Sequence, residues 1–358
     1  VTNASAATPN TATISGLTDG ATYYFRIKAR NTVGDSASYA QTTSVAISNE
    51  DFALDTGGGY ASAAATSVIP DGIDSDFSVE FWFRPDKVTG DQTLVSQGNS
   101  PKYVMKLANA RLKVEYGSGE IDTGQDFVVG NWYHIAHTID ASDTSAGSKV
   151  YVNGILVKES SGTRSSFPPS ADANGFHIGA YSPGPPGSTD GQIDQVKVWN
   201  DARTKSEIEA SMHAWGNPVT DDTSLLSHYD FNDNTQATTL RDQAGSNDLT
   251  YTSATTSDLK ALVEKNTSRD GYAFYDFTRS YLTATGGWTV DSAASTFETL
   301  LVAGGGSGAT RHGGGGGAGE LVYSSSTALS GVVAVEVGMG GLQPGIATSA
   351  ATSWLPGT

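Results

Sequence analysis

Between residues 76 and 199 the chain alternates repeatedly between a short apolar run and a cluster of turn-forming residues. In Asp76-Phe77-Ser78-Val79-Glu80-Phe81-Trp82-Phe83-Arg84-Pro85, the side chains of Phe77, Val79, Phe81 and Phe83 recur every second residue, which puts them on one face of a strand. Residues 103–107 and 111–116 pattern as a hairpin through Asn109-Ala110, and residues 131–140 as a further strand. Residues 149–157 fold back through Asn153-Gly154, a dipeptide suited to the positive φ of a tight hairpin turn. Phe176-His177-Ile178-Gly179-Ala180 leads into a Pro/Gly-rich loop. Gly191-Gln192-Ile193-Asp194-Gln195-Val196-Lys197-Val198-Trp199 then closes the series. A short helix is expected after Asn200-Asp201, capped by Ser206, with Glu207 and Glu209 at its positive end. Many short strands at this spacing indicate a β-sandwich, with Phe81, Trp82, Phe83, Trp132, Val196, Val198 and Trp199 expected between its sheets.

Taken in order, these segments resemble the laminin-G-like, concanavalin-A-like jelly-roll family across residues 49–256. Residues 225–231 and Thr239-Leu240-Arg241-Asp242 resemble that family's return strand. Before them, residues 1–48 resemble the second half of a fibronectin type III module: Leu17, the Asp19-Gly20 turn, Tyr23 and the alternation Tyr24/Arg26/Lys28/Arg30 against Phe25/Ile27/Ala29 carry the likeness. The expected first half, with its core Trp, is absent, so the chain is read as a piece of a longer polypeptide. Residues 257–269 read as a linker with a short helix over 259–265. In residues 270–358, strands around Trp288, 297–303, 320–323 and 332–337 bracket the glycine runs 304–308 and 313–317. That arrangement resembles the glycine-rich domains of phage tail and fibre proteins and of some bacterial surface proteins. The expected class is all-β throughout: a partial fibronectin type III sandwich, a laminin-G-like two-sheet jelly roll and a glycine-rich β unit.

Charge narrows the partners. Only 16% of residues are charged, yet the formal net charge is -17. Such a chain is repelled by nucleic acid and by anionic membranes. No run approaches the roughly 18 apolar residues of a membrane span, so membrane insertion is not expected. With no Cys in the chain, disulfide staples and thiolate metal sites are excluded.

Several groupings could carry chemistry. Glu120-Ile121-Asp122 approaches the Glu-x-Asp-x-x-Glu strand of jelly-roll β-glucanases, but the third position is Gln125 and Asp126 is one residue out of phase. With Gly117, Gly119 and Gly124 nearby, an exposed acidic turn is expected, and no catalytic residue is assigned. His134 and His137 fall on opposite faces of one strand and cannot share a metal from one side. The glycine run 304–319 lacks the Lys-Ser/Thr of a phosphate loop. Hard oxygen ligands for calcium are supplied by the clusters Asp71/Asp74/Asp76, Asp190/Asp194 and Asp230/Asp233, with Asp76, Asp190 and Asp194 the metal candidates. Where the family reads Asp-Gly-x-Asp-Asp-Tyr, this chain has Asp55-Thr56-Gly57-Gly58-Gly59-Tyr60, two carboxylates short. Tyr181, Ser182 and Asp190, on the Pro/Gly loop, are the candidate ligand-binding residues. An aromatic beside polar groups suits a sugar ring.

The expected function is noncovalent recognition of a host or cell-surface glycan or protein, with self-association through the glycine-rich unit, outside the cell or on a virion. Three readings stay open: a phage or virus fibre, a cell-anchored bacterial adhesin or matrix filament, and the noncatalytic part of a glycan-processing enzyme.

Overall fold

The computed structural model describes residues 22–23, 26–27, 30–31, 34–35, 40–41, 45–46, 52–57, 59–63, 67–70, 75–98, 102–117, 119–161, 175–181, 189–212, 222–232, 239–253, 259–261, 265–269, 272–275, 288–290, 296–302, 320–329, 332–333 and 335. The chain divides into two compact units, Val1–Glu50 and Asp51–Thr358. In the first, β1 (Thr22–Tyr23), β2 (Arg26–Ile27), β3 (Arg30–Asn31), β4 (Gly34–Asp35), β5 (Ala40–Gln41) and β6 (Val45–Ala46) pair as β1 with β6, β2 with β5 and β3 with β4. Partners converge from Thr22↔Ala46 to Asn31↔Gly34, the register of one antiparallel hairpin.

The second unit is dominated by two eight-stranded antiparallel sheets. Its strands are β7 (Phe52–Asp55), β8 (Gly59–Ala63), β9 (Phe77–Pro85), β10 (Asp91–Gln97), β11 (Lys102–Ala108), β12 (Arg111–Gly117), β13 (Gly119–Asp126), β14 (Tyr133–Ile139), β15 (Ser148–Val152), β16 (Ile155–Ser160), β17 (Phe176–Ile178) and β18 (Gly191–Trp199). After the helix α1 (Lys205–Ser211) come β19 (Leu225–Tyr229), β20 (Thr239–Leu240), β21 (Leu249–Ser253) and β22 (Leu259–Ala261). One sheet runs β13-β12-β11-β10-β17-β8-β21-β20 and the other β16-β15-β14-β9-β18-β7-β22, with β19 also against β18. This is an all-β jelly roll.

Between the sheets lie Phe77, Val79, Phe81 and Phe83 of β9, with Ile135, Val196, Val198, Tyr103, Met105 and Phe176. The period-two face of β9 is therefore the core face. Residues 133–139 form a strand, as the alternation requires. The Asn153-Gly154 turn has φ 51° and 72°, and Asn109-Ala110 has φ 50° and 72°. Both are mirror-image tight turns whose twist suits a hairpin.

Four expectations are corrected. Trp82 and Trp132 lie outside the two-sheet core, in a separate cluster with Ala53 and Met212. Trp199, fully buried, donates its indole N–H to Glu80 Oε1 at 3.1 Å, on that same reverse face. Strand period two sends Ser78, Glu80 and Trp82 away from Phe77, Val79 and Phe81, toward α1 and the segment before it, where Ser78 bonds Asp201 and Arg203. The helix is capped by Thr204 rather than Ser206: Thr204 Oγ1 accepts from the Glu207 N–H, while the Glu207 carboxylate accepts from the Thr204 N–H at 2.7 Å. That is a capping box, and it satisfies two otherwise orphaned donors. Residues 119–126 form a strand, not a turn, and Asp126 shares the exposed face of Glu120 and Asp122 while Gln125 points inward. Gly124, at φ 71°, absorbs the irregular register there. Finally, residues 259–261 form strand β22 against β7 instead of a helix.

Beneath α1 the reverse face is polar. Ser211 Oγ donates to Glu80 (2.6 Å to Oε1), Lys197 Nζ donates to the Ser211 carbonyl at 2.8 Å, and Trp82 Nε1 donates to the Met212 carbonyl at 2.9 Å. Burial drives the Glu80 carboxyl above its ordinary range, opposed by the Lys197 charge. The same desolvation lowers Lys197. His134 stands edge-on to Trp82 on this face. His137, on the opposite one, joins Tyr103 Oη at 3.0 Å and Ser148 Oγ at 2.9 Å. Both histidines are packing groups with polar partners, His134 Nε2 lying 3.5 Å from Glu80 Oε2.

Farther along, β23 (Lys265–Arg269) pairs β24 (Tyr272–Tyr275), β25 (Trp288–Thr289) pairs β28 (Val332–Val333), and β26 (Thr296–Val302) pairs β27 (Leu321–Ala328). Phe297 and Leu301 of β26 pack with Val290, Leu329, Val333 and Val335 in the cluster that also holds Trp82 and Trp132. The glycine run 304–319 lies outside the described residues.

Candidate functional site

One end of the sandwich gathers segments distant in sequence. Thr56 is buried at the β7–β8 turn, and both its N–H and its hydroxyl donate to the Gly191 carbonyl at 2.8 Å. At Asp190, the carbonyl accepts from the N–H groups of Asp86 (3.0 Å) and Lys87 (3.3 Å), while its own N–H donates to Gln92 Oε1 at 3.0 Å. Gly191 sits so close to β9 that a methyl group there would lie 2.4 Å from the Arg84 carbonyl oxygen. Only glycine fits this point, which fixes where the loop enters β18.

The Pro/Gly loop is anchored at both ends on β10. Ser96 Oγ donates to the Ala180 carbonyl at 2.8 Å, and the Thr189 hydroxyl donates to the Thr93 carbonyl. Ser96 and Thr93 are three residues apart, about 10 Å of strand. Tyr181 and Asp190, nine positions apart in sequence, thus emerge on the same rim, each partly exposed. Ser182 lies outside the described residues.

Asp190 faces Asp55 across Gly57. A methyl group placed on Gly57 would lie 3.0 Å from Asp190 Oδ1 and 3.2 Å from Asp55 Oδ1. Asp55 Oδ1 also accepts from the Gly57 N–H at 2.9 Å. Two carboxylates therefore converge on one notch beside the loop that carries Tyr181. Sequence reasoning placed Asp55 in a weakened metal motif and did not pair it with Asp190, because 135 residues separate them. The only available signal was the glycine at position 57, too small to fill the space between them.

The metal candidates do not form one set. Asp76 precedes β9 and accepts from the Ala141 N–H at 2.8 Å, capping a turn. Asp190 lies beside the other end of β9, where Gly191 pairs with Pro85. The nine-residue strand between them spans about 30 Å. Asp194 is fully buried on β18 and accepts from the Gln195 N–H at 2.7 Å. Among the described residues no three His, Asp or Glu side chains gather as a metal site. Asp71, Asp74 and Asp233 lie outside those residues.

A second polar surface covers β11–β13. Glu120 meets Lys113 Nζ at 2.7 Å and Lys106 Nζ at 3.6 Å, Glu115 also meets Lys106, and Arg111 meets Asp126 at 2.8 Å. Carboxylates and cations alternate across neighbouring strands in a surface lattice. Cross-strand pairs of opposite sign of this kind stabilise a sheet modestly.

Residues 55–209 match the model of the concanavalin A-like lectin/glucanases superfamily, and residues 281–356 match that of a glycine-rich domain. No curated protein matches the chain. Among solved structures, a Bacteroides ovatus protein provisionally described as carbohydrate-binding is similar at 20% identity, with 69% of this chain and 70% of that one covered and a TM-score of 0.48. A native heptameric SAP-like pentraxin from Limulus polyphemus is similar at 16% identity, covering 46% of this chain and 82% of that one, with a TM-score of 0.36. Domain 4 of an extracellular arabinanase from Geobacillus stearothermophilus, in complex with arabinotriose, is similar at 19% identity, covering 53% and 87%, with a TM-score of 0.32. At these identities the likeness concerns the fold alone. No helix among the described residues is long and apolar enough to cross a membrane.

Proposed function

We propose that the jelly roll is a glycan-recognition module that binds without turnover, within an extracellular fibre or adhesin of a cell or virion surface. The observation that carries this reading is the rim: Tyr181 and Asp190 flank one loop pinned to β10, and Asp55 and Asp190 converge at Gly57. A carboxylate accepts hydrogen bonds from sugar hydroxyls, and an aromatic ring offers an apolar face to the C–H face of a pyranose. The superfamily match over residues 55–209 supports this class of ligand.

Recognition is favoured over hydrolysis by the state of the carboxylates on β13. Glycosidic cleavage needs two carboxyl groups with different roles on either side of the scissile bond. Glu120 and Asp122 instead project from a flat, exposed face and are paired with Lys113, Lys106 and Arg111. Calcium belongs to the proposal only at the notch: Asp55 and Asp190 supply two hard oxygen donors, fewer than the six to eight that the ion takes, and no step of recognition depends on it. The virion fibre, the cell-anchored adhesin or filament, and the noncatalytic part of a glycan-processing enzyme would all use such a rim in the same way.

A glycan array probed with the full chain and with Tyr181→Ala tests the reading. The expected result is binding to a restricted set of glycans that Tyr181→Ala weakens at least about tenfold, or about 1.4 kcal/mol. Equal binding by both proteins, or release of reducing sugar that disappears in Glu120→Gln, would overturn it.

A further inference from the structure

The β26–β27 pair carries large apolar side chains on both faces. Phe297 and Leu301 turn toward the cluster of Val290, Leu329, Val333 and Val335. On the opposite face Leu300 pairs directly with Tyr323, and Val302 with Leu321. These four are exposed by 61%, 59%, 57% and 62% respectively. An antiparallel sheet with one buried face ordinarily presents polar side chains on the other. Three aliphatic side chains and a tyrosine on the outer face are the pattern of a layer that meets another layer.

We propose that this outer face is a self-association surface, and that its occupant is a second copy of this chain. Charge selects that occupant. A second copy brings the same formal net charge of -17, so two copies repel except where charge is sparse. Across β26 and β27 the sole charged side chain is Glu298, whose carboxylate accepts from Tyr323 Oη at 3.4 Å. A partner chosen by opposite charge would be drawn to the acidic surface elsewhere. Glu298 lies on this face too, and apart from that single carboxylate, bonded to Tyr323, the face can meet its own copy through apolar side chains, as a two-fold interface requires. The four side chains expose on the order of 450 Å² per copy, so two copies meeting there would bury close to the roughly 1,000 Å² at which a specific interface begins. The proposal does not rest on the glycan reading, and the loss of either leaves the other standing.

The test is sedimentation equilibrium of the full chain over a wide concentration range. Beside the wild type run the double variant Leu300→Ser/Tyr323→Ser, the milder Leu321→Thr, and the control Val128→Ser/Val129→Ser, which removes exposed apolar side chains from a different turn. The wild type should show a concentration-dependent mass that is a multiple of 37.1 kDa. Its dissociation constant should rise at least about tenfold in the double variant, by a smaller factor in Leu321→Thr, and stay unchanged in the control. Circular dichroism melting curves confirm that each variant is folded, and Leu321→Thr serves if the double variant is not. A wild type that stays at 37.1 kDa throughout, or hairpin variants that associate as the wild type does, would overturn the proposal.

Discussion

Ala110 occupies a backbone conformation that its own side chain disfavours. Its φ of 72° lies in the left-handed region, second in a tight turn where glycine is the usual residue. The turn is nonetheless held on both sides: Asn109 Oδ1 accepts from the Gly90 N–H at 3.0 Å, and the Ala110 carbonyl accepts from the Phe127 N–H at 2.8 Å. The hairpin β11–β12 tolerates this strain because seven cross-strand pairs fix its register. Ala110→Gly should therefore raise stability by about 0.5–1 kcal/mol, the relief at the turn exceeding the entropy gained by the unfolded chain. Urea denaturation measures it, and an unchanged or lowered midpoint would show that the turn is not strained. Gly191 is the converse case, since the 2.4 Å approach to the Arg84 carbonyl leaves no room for a side chain.

At the scale of elements, α1 shows how a seven-residue helix survives. Too short to be stable alone, it is held by the Thr204–Glu207 capping box, by Ile208 buried against Ala136 and Tyr151, and by Ser211 on Glu80. Thr204→Ala should cost about 1 kcal/mol. Hydrogen bonds from the Thr204 backbone and hydroxyl hold the Glu207 carboxyl below its ordinary value, and the Ser224 hydroxyl with Arg203 does the same for Asp222. Because the folded values lie below the unfolded ones, the stability these two groups contribute is fully present above the ordinary carboxylate range. It is lost as the pH falls through the lowered values. Thr204→Ala should accordingly lower the melting temperature more at pH 7 than at pH 3, and an equal loss at both would remove the box from the account.

Both the successes and the failures of sequence reasoning belong to this scale. Asn153-Gly154 and the alternation of Phe77, Val79, Phe81 and Phe83 were legible because turn chemistry and period two are local properties. The capping box is equally local, as Thr204-x-x-Glu207, but Ser206 two residues on offers the same cap chemistry, and only the structure separates them. Gly119 and Gly124 suggested a loop, but tertiary pairing with β12 imposes a strand on them. The reverse-face positions of Trp82 and Trp199 were hidden because aromatic side chains look alike whichever sheet face they cover. The cover depends on a helix more than 100 residues from Trp82.

For the whole molecule, the jelly-roll order brings Asp55, Asp190 and the root of the Tyr181 loop to one rim, while Asp76 is carried to the far end of β9. Neither outcome follows from local sequence, because both depend on which strands become neighbours. That order also leaves two separate polar surfaces, the rim and the ion-paired face of β11–β13, and the account assigns recognition to the first. The most direct test is a calorimetric titration of the best array glycan into the full chain, Asp190→Asn and Glu120→Gln. The account predicts that Asp190→Asn weakens binding at least about tenfold, and that Glu120→Gln binds as the wild type does, with no glycan cleaved in either. Binding that is lost in Glu120→Gln and kept in Asp190→Asn would contradict it and move the site to the sheet face.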